Sequence, residues 1–76
     1  MRSLASLKPG ESGTVCGFTQ EDATTHRLMQ LGFIEGEKID VIRRALAGDP
    51  IEVKVLGYSL SLRGSEAQKI LIELVE

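Results

Sequence analysis

Hydrophobic and polar residues alternate with a period of two over most of this chain, a pattern typical of short β-strands. The clearest case is Ile51–Val55, where every second residue is aliphatic and the residues between them are charged. Alternation of this kind, interrupted by glycine- and proline-containing turns, predicts five strands, over about residues 11–18, 38–45, 51–55, 58–63 and 70–75. At Gly57-Tyr58 the sequence predicts a tight hairpin turn of type II′.

One segment has the period of a helix instead. Thr19–Asp22 fits a helix start, with an oxygen acceptor followed by acidic groups. Leu28 and Leu31 then fall on one helical face, and Gly32 is the residue type that commonly ends a helix. We therefore predict one short helix over about residues 22–31, between the first and second strands.

Five short strands would leave costly open edges in a flat sheet, and closing them into a small barrel removes those edges. The predicted fold is therefore mainly β: a small SH3-like barrel of about five strands with one short α-helix inserted between the first two. Residues 1–76 are expected to form a single domain. The residues predicted to face its core are Ile39, Val41, Ile51, Val53, Val55, Leu60, Leu62, Ile70, Ile72 and Leu74.

Charge and length narrow the classes of function. Nine lysines and arginines against eleven aspartates and glutamates give a formal net charge of −2, which disfavours binding to nucleic acid. No apolar run approaches the roughly 20 residues that span a bilayer, and the first residues lack the apolar core of a signal peptide. We expect a cytoplasmic protein that does not insert into the membrane.

The chain has few residues suited to metal or acid–base chemistry. Its single cysteine, Cys16, excludes an internal disulfide, and its single histidine is His26. These two are the candidate transition-metal ligands, with Glu21 or Asp22 beside His26 as carboxylate partners for ferrous iron. Two such residues are too few for a structural zinc site, so we predict no metal site beyond these two candidate ligands and no cofactor. The sequence contains no Gly-x-x-x-x-Gly-Lys-Ser/Thr phosphate loop, no Gly-x-Ser-x-Gly and no His-Glu-x-x-His, which predicts no catalytic residues and no enzyme.

The order and spacing of several motifs resemble the FeoA family over nearly the whole chain. They are Leu7-x-x-Gly10-x-x-Gly13-x-Val15, Leu28-x-x-Leu31-Gly32-Phe33-x-x-Gly36, Gly48-Asp49-Pro50-Ile51, Gly57, Leu62-Arg63, Glu66-Ala67 and Ile70. Two loops depart from the family pattern. Glu35 stands where the family often has proline. In the second loop the family often reads Ala-Pro-Leu-Gly-Asp-Pro, whereas Ala45–Pro50 has leucine in place of the first proline. Because both loops lack a rigid ring, we expect them to be more mobile.

The resemblance implies a small cytosolic protein of bacterial ferrous iron uptake. Such proteins are thought to act with FeoB, a membrane permease that carries a cytosolic GTPase domain. The implied function is non-enzymatic: the chain docks on the cytosolic part of the permease and regulates or stabilises it. The alternative is a small transition-metal carrier or sensor that uses His26 and Cys16. An exposed strand edge would also allow weak pairing of two copies.

The predicted docking surface combines the helix with the loops Phe33–Gly36 and Ala45–Pro50. Binding residues often lie on loops held by a rigid scaffold, although each of these residues also has a purely structural interpretation. The candidate partner-binding residues are Arg27, Met29, Phe33, Arg44, Leu46 and Asp49.

Overall fold

Six antiparallel strands form one sheet in the computed structural model, which describes residues 2–75. Their order across the sheet is β1-β6-β2-β3-β4-β5, so β1 and β5 are the edges. The strands are β1 (Arg2–Ser3), β2 (Ser12–Phe18), β3 (Lys38–Arg44), β4 (Ile51–Val55), β5 (Tyr58–Leu62) and β6 (Ile70–Leu74).

Two α-helices and two 3₁₀ turns connect these strands. Helix α1 covers Ala23–Gln30 and helix α2 covers Gly64–Ala67, while the 3₁₀ turns cover Leu4–Ser6 and Leu46–Gly48. No helix within residues 2–75 is long and apolar enough to cross a membrane.

The architecture differs from the predicted barrel in three respects. An additional two-residue strand, β1, precedes the first predicted strand, so α1 lies between the second and third strands rather than the first and second. The sheet is also open, because β1 and β5 are not paired with each other. Instead, α2 packs against the Leu4–Ser6 turn, where a closed barrel would have a further strand pair.

Irregular pairing changes the direction of the sheet at two places. The register of β2 against β6 shifts between Val15 and Gly17, and that of β3 against β4 shifts between Val41 and Arg43. Extra residues of this kind bend a strand and increase its local twist, which curves the sheet around its apolar face. The core on that face consists of Leu4, Leu7, Val15, Leu28, Phe33, Ile39, Val41, Ile51, Val53, Val55, Leu62, Ala67, Ile70 and Ile72.

Two detailed predictions were wrong. Leu74, predicted to face inward, is 43% exposed because it ends β6 beyond the last buried residue of that strand, Ile72. The β4–β5 turn consists of Leu56 and Gly57, with φ of 51° and 84°, and Val55 pairs with Tyr58. Two consecutive positive φ angles identify a type I′ turn rather than type II′.

Candidate functional site

Helix α1 is preceded by a well-anchored capping residue, Asp22. Its Oδ1 accepts a hydrogen bond from the Thr25 backbone N–H at 2.9 Å, and Thr25 Oγ1 accepts one from the Asp22 N–H at 3.0 Å. Asp22 Oδ2 also lies 3.0 Å from Lys69 Nζ and accepts from Gln20 Nε2. The Thr25 N–H and then the Lys69 ammonium hold the pKa of Asp22 well below its usual range. The start of α1 is therefore tied to the residue before β6.

The other end of α1 is held by the core and by the β4–β5 turn. Gly32 has φ of +115°, and the Phe33 N–H donates to the Leu28 carbonyl at 3.1 Å, which turns the chain back under the helix. The Tyr58 hydroxyl donates to the Leu31 carbonyl. Phe33 is completely buried, so it supports the predicted docking surface from below and cannot touch a partner while the fold is intact.

Arg27 points from the middle of α1 towards α2. Its guanidinium forms an ion pair with Glu66 Oε2, while Glu66 Oε1 accepts the Arg63 backbone N–H at 2.8 Å. Glu66 therefore links α1 to the first turn of α2. A partner that uses Arg27 would have to compete with this carboxylate.

Arg44 has an internal structural role, because its guanidinium donates to main-chain carbonyls on two sides. It bonds the Leu7 carbonyl at 2.7 Å and the Gly48 carbonyl at 3.3 Å, and it also donates to Ala5. The residue thus connects β3 to the N-terminal segment and to the 3₁₀ turn at 46–48. These bonds leave its guanidinium little capacity to bind a partner.

The loop before β4 contains one anchored and one free candidate. Asp49 Oδ1 accepts the Gly64 N–H at 2.9 Å, which joins this loop to the start of α2. Leu46, by contrast, is 96% exposed. Both residues are exposed, and of the two only Asp49 has a side chain hydrogen-bonded within residues 2–75.

Met29 lies in an open groove between α1 and the end of β2, which we call the α1 groove. It has a volume of about 410 Å³. The apolar side chains lining it are those of Phe18, Met29 and Ile34, and Ile34 is 46% exposed. The remaining lining residues are Gly17, Gln20, Glu21 and Glu35.

A second, more polar cavity of about 470 Å³, which we call the α2 cavity, lies between α1 and α2. It contains both signs of charge, with Arg27 and Arg63 facing Asp49 and Glu66. Three of these four groups already bond to another part of the chain. The balanced charge gives this cavity no clear preference for an anion or a cation.

Neither candidate metal ligand belongs to a cluster of potential metal ligands within residues 2–75. His26 is exposed on α1 and Cys16 is half-buried in β2. Burial raises the pKa of the Cys16 thiol, and the nearby carboxylates of Glu73 and Glu35 raise it further. Across residues 2–75, no group of three or more histidine, cysteine, aspartate or glutamate side chains is placed to hold a metal ion.

Of the predicted partner-binding residues, Met29 and Leu46 combine an apolar side chain with access to solvent. Arg27, Phe33, Arg44 and Asp49 each also contribute to the internal structure, as described above. The groove residues Ile34 and Glu35 lie in the predicted segment Phe33–Gly36 but were not named individually, and Phe18 lay outside the predicted surface. Exposed apolar residues next to a helix end are a weak signal in the sequence, because helix packing can hide them as easily as expose them.

Comparisons with known proteins connect this fold to iron transport. A family model described as the FeoA domain matches residues 2–74. A Fe(2+) transport protein A/Fe(2+) transporter FeoB fusion protein of Porphyromonas gingivalis is 29% identical over 72 residues, which cover 95% of this chain. The chain spans only 8% of the length of that fusion protein.

Two solved structures are similar over almost the whole chain. The NMR structure of a FeoA-like protein from Clostridium acetobutylicum is 35% identical with a TM-score of 0.92, and the match covers 99% of this chain and 87% of the other. The crystal structure of Stenotrophomonas maltophilia FeoA in complex with zinc is 28% identical with a TM-score of 0.85, covering 96% and 91%. That protein is described as a prokaryotic SH3 domain protein, so the fold of this chain is SH3-like.

Proposed function

The chain belongs to the FeoA domain family, which is associated with ferrous iron transport, and we propose that it is a non-enzymatic module that docks on the cytosolic part of a FeoB-type permease and regulates or stabilises it. The observation that carries the proposal is the fusion relative, in which a segment similar to this chain is joined covalently to a FeoB transporter. A covalent link gives the two parts a high effective concentration, which favours contact between them.

Regulation by such a module requires unequal binding to different states of the permease. A ligand shifts a conformational equilibrium only by the difference between its affinities for the two states. The FeoB-type permease implied by the family carries a GTPase domain, so nucleotide-bound and nucleotide-free forms are the natural pair of states. We propose that the chain binds one of them more tightly and thereby changes its population.

The proposed docking surface is the α1 groove, and the exposed side chain of Leu46 is a separate candidate contact. Exposed apolar side chains on a rigid scaffold are suited to protein–protein contact. The contacts of Asp22 with Lys69 and of Tyr58 with Leu31 hold both ends of α1, so the groove wall is preorganised. Preorganisation lowers the entropy lost on binding.

Measurement of ferrous iron uptake in cells that lack this chain tests the proposal. We expect uptake to fall without the chain, and to recover on expression of the wild-type chain but not of a Met29→Ser/Leu46→Ser variant. Ser61→Thr, a change of an exposed residue outside the proposed surface, is the matched control and should restore uptake. Permease abundance, measured in parallel, separates stabilisation from regulation. Unchanged uptake in the absence of the chain would contradict the proposal.

The competing function is direct metal handling, and the zinc complex of the S. maltophilia relative is the observation that favours it. It predicts stoichiometric Fe²⁺ binding to the purified chain, lost on replacing His26 with alanine. Titration calorimetry under anaerobic conditions measures this directly. One Fe²⁺ per chain together with no affinity for the permease would favour the metal carrier over the docking module.

A further inference from the structure

The α1 groove combines an apolar floor with a rim of one charge sign. Phe18, Met29 and Ile34 supply the apolar surface, and among residues 2–75 the only charged residues that line the groove are Glu21 and Glu35. Its volume of about 410 Å³ is at the lower end of the range for ligand sites, roughly 300–1,000 Å³. That space suits one or two large apolar side chains rather than a folded element.

The rim carboxylates have no cationic partner within the described part of the chain. Glu21 and Glu35 take part in none of the ion pairs between residues 2 and 75. Lys69 and Arg27 are engaged in other ion pairs, Lys69 with Asp22 and Arg27 with Glu66. The groove therefore presents an uncompensated negative rim around an apolar centre.

From this arrangement we infer that the α1 groove binds an extended segment of another protein in which a large apolar side chain is flanked by lysine or arginine. This inference rests on the proposed docking function and names the chemistry of the docked segment. The apolar side chain would bury the exposed surfaces of Met29 and Ile34. The flanking cations would face Glu21 and Glu35, which fixes the orientation of the segment and speeds its association.

Charge also selects against other occupants. An anionic membrane surface or a nucleic acid would be repelled by a rim of two carboxylates. An acidic peptide would place like charges opposite each other, which is unfavourable. A second copy of this chain is the remaining alternative, and self-association of the purified chain measures it.

Two charge-reversed peptides test the inference on the full chain. The probes are acetylated, amidated hexapeptides, KKLFKK and EELFEE, which share one apolar centre and differ in the sign of their flanks. We expect KKLFKK to shift the backbone amide NMR signals of Phe18, Met29 and Ile34, and EELFEE to leave them unchanged. Equal shifts with both peptides, shifts located elsewhere, or no shift with either would overturn the inference.

Rim variants then test the contribution of charge. Glu21→Gln/Glu35→Gln should weaken KKLFKK binding about threefold to tenfold, since exposed charge pairs are individually weak. Raising the salt concentration should also weaken the binding of KKLFKK to the wild-type chain, because salt screens the charge attraction. Glu52→Gln removes a carboxylate on β4 that pairs with Arg43, outside the groove, and should leave binding unchanged. A rim variant that binds as tightly as the wild type would contradict the charge argument.

The same variants distinguish failure of this inference from failure of the proposed function. If the permease binds the wild-type chain and the rim variant equally well, the proposed docking function stands but the inferred chemistry of the docked segment is wrong. If the chain binds KKLFKK in the groove but does not bind the permease, the inferred segment chemistry stands for a different partner and the proposed docking function is wrong. Concentration-dependent dimerisation that blocks the groove would show that a second copy of this chain occupies it, and would overturn the inference.

Discussion

Lys69 Nζ lies 3.0 Å from Asp22 Oδ2, so the residue that caps the start of α1 is joined to the residue that precedes β6. The two residues are 47 positions apart in the chain. The same carboxylate accepts the Thr25 N–H, which makes Asp22 both a helix cap and a tertiary contact. The position of α1, and with it the wall of the α1 groove, depends on this residue.

Acid should destabilise the protein in part through Asp22. Its pKa is lowered in the folded chain, first by the Thr25 N–H and then by Lys69, while the unfolded chain has the ordinary value near 3.8. The unfolded chain therefore takes up the proton first as the pH falls. The stabilisation is complete above the unfolded value and is lost as the pH falls from about 4 towards the lower folded value.

Urea unfolding as a function of pH measures this contribution. Asp22→Asn keeps an oxygen that can accept from Thr25 but removes the charge, so it should be less stable than the wild type at pH 7. The two stability curves should converge at the lowest pH. Parallel curves over the whole pH range would show that titration of Asp22 contributes nothing to the pH dependence of stability.

Arg44 should be essential for stability. Replacement by alanine leaves the carbonyls of Leu7 and Gly48 without the donor they use in the fold, and we expect a loss of about 2–3 kcal/mol in the free energy of unfolding. Arg44→Lys should recover only part of this loss, because an ammonium cannot reproduce a planar fork of donors. Arg43→Ala, at the exposed neighbouring position, should cost less than about 1 kcal/mol. Equal losses at positions 43 and 44 would contradict the assignment.

One substitution in the β4–β5 turn should increase the stability of the fold. Leu56 has φ of 51° and is 58% exposed, so a branched side chain occupies a left-handed position at the surface. Asparagine adopts this conformation more readily, and Leu56→Asn should stabilise the fold by about 0.5–1 kcal/mol. Gly57→Ala, at φ of 84°, should have the opposite effect. Thermal unfolding of the two variants checks both directions.

Cys16 should react slowly with alkylating reagents. Burial raises the pKa of its thiol, and Glu73 and Glu35 add to that effect, so less of the reactive thiolate is present near neutral pH. Iodoacetamide at pH 8 should modify the folded chain several-fold more slowly than the chain unfolded in urea. Equal rates in the two states would show that the thiol is fully accessible and unperturbed.

Regular alternation made most of the sheet predictable. The strand over Ile51–Val55 matches its prediction residue for residue, because every second side chain there is buried. Strand β1 was missed because two residues are too few to display a period. The turn type at Leu56 was missed because an aliphatic residue at a positive φ contradicts local preference and is imposed by the pairing of β4 with β5.

The candidate site was less predictable for a different reason. Arg27, Arg44 and Asp49 were predicted as partner contacts, and the structure gives each of them a partner within the chain. Sequence alone does not indicate which charged residues find partners, because those partners are up to 39 residues away along the chain. The predicted docking segments contain Met29, Ile34 and Glu35 of the α1 groove, but the contribution of Phe18 from β2 was not predicted for the same reason.

Calorimetric titration of the full chain against the cognate FeoB-type permease, in detergent, tests the central proposal most directly. The titration is made with the permease loaded with a non-hydrolysable GTP analogue, with GDP, and without nucleotide. We predict saturable binding whose affinity differs by about tenfold or more between at least two of these states, because equal affinities would shift no equilibrium. Absence of binding in all three states, or the same affinity in all three, would contradict the account of this chain as a regulatory docking module.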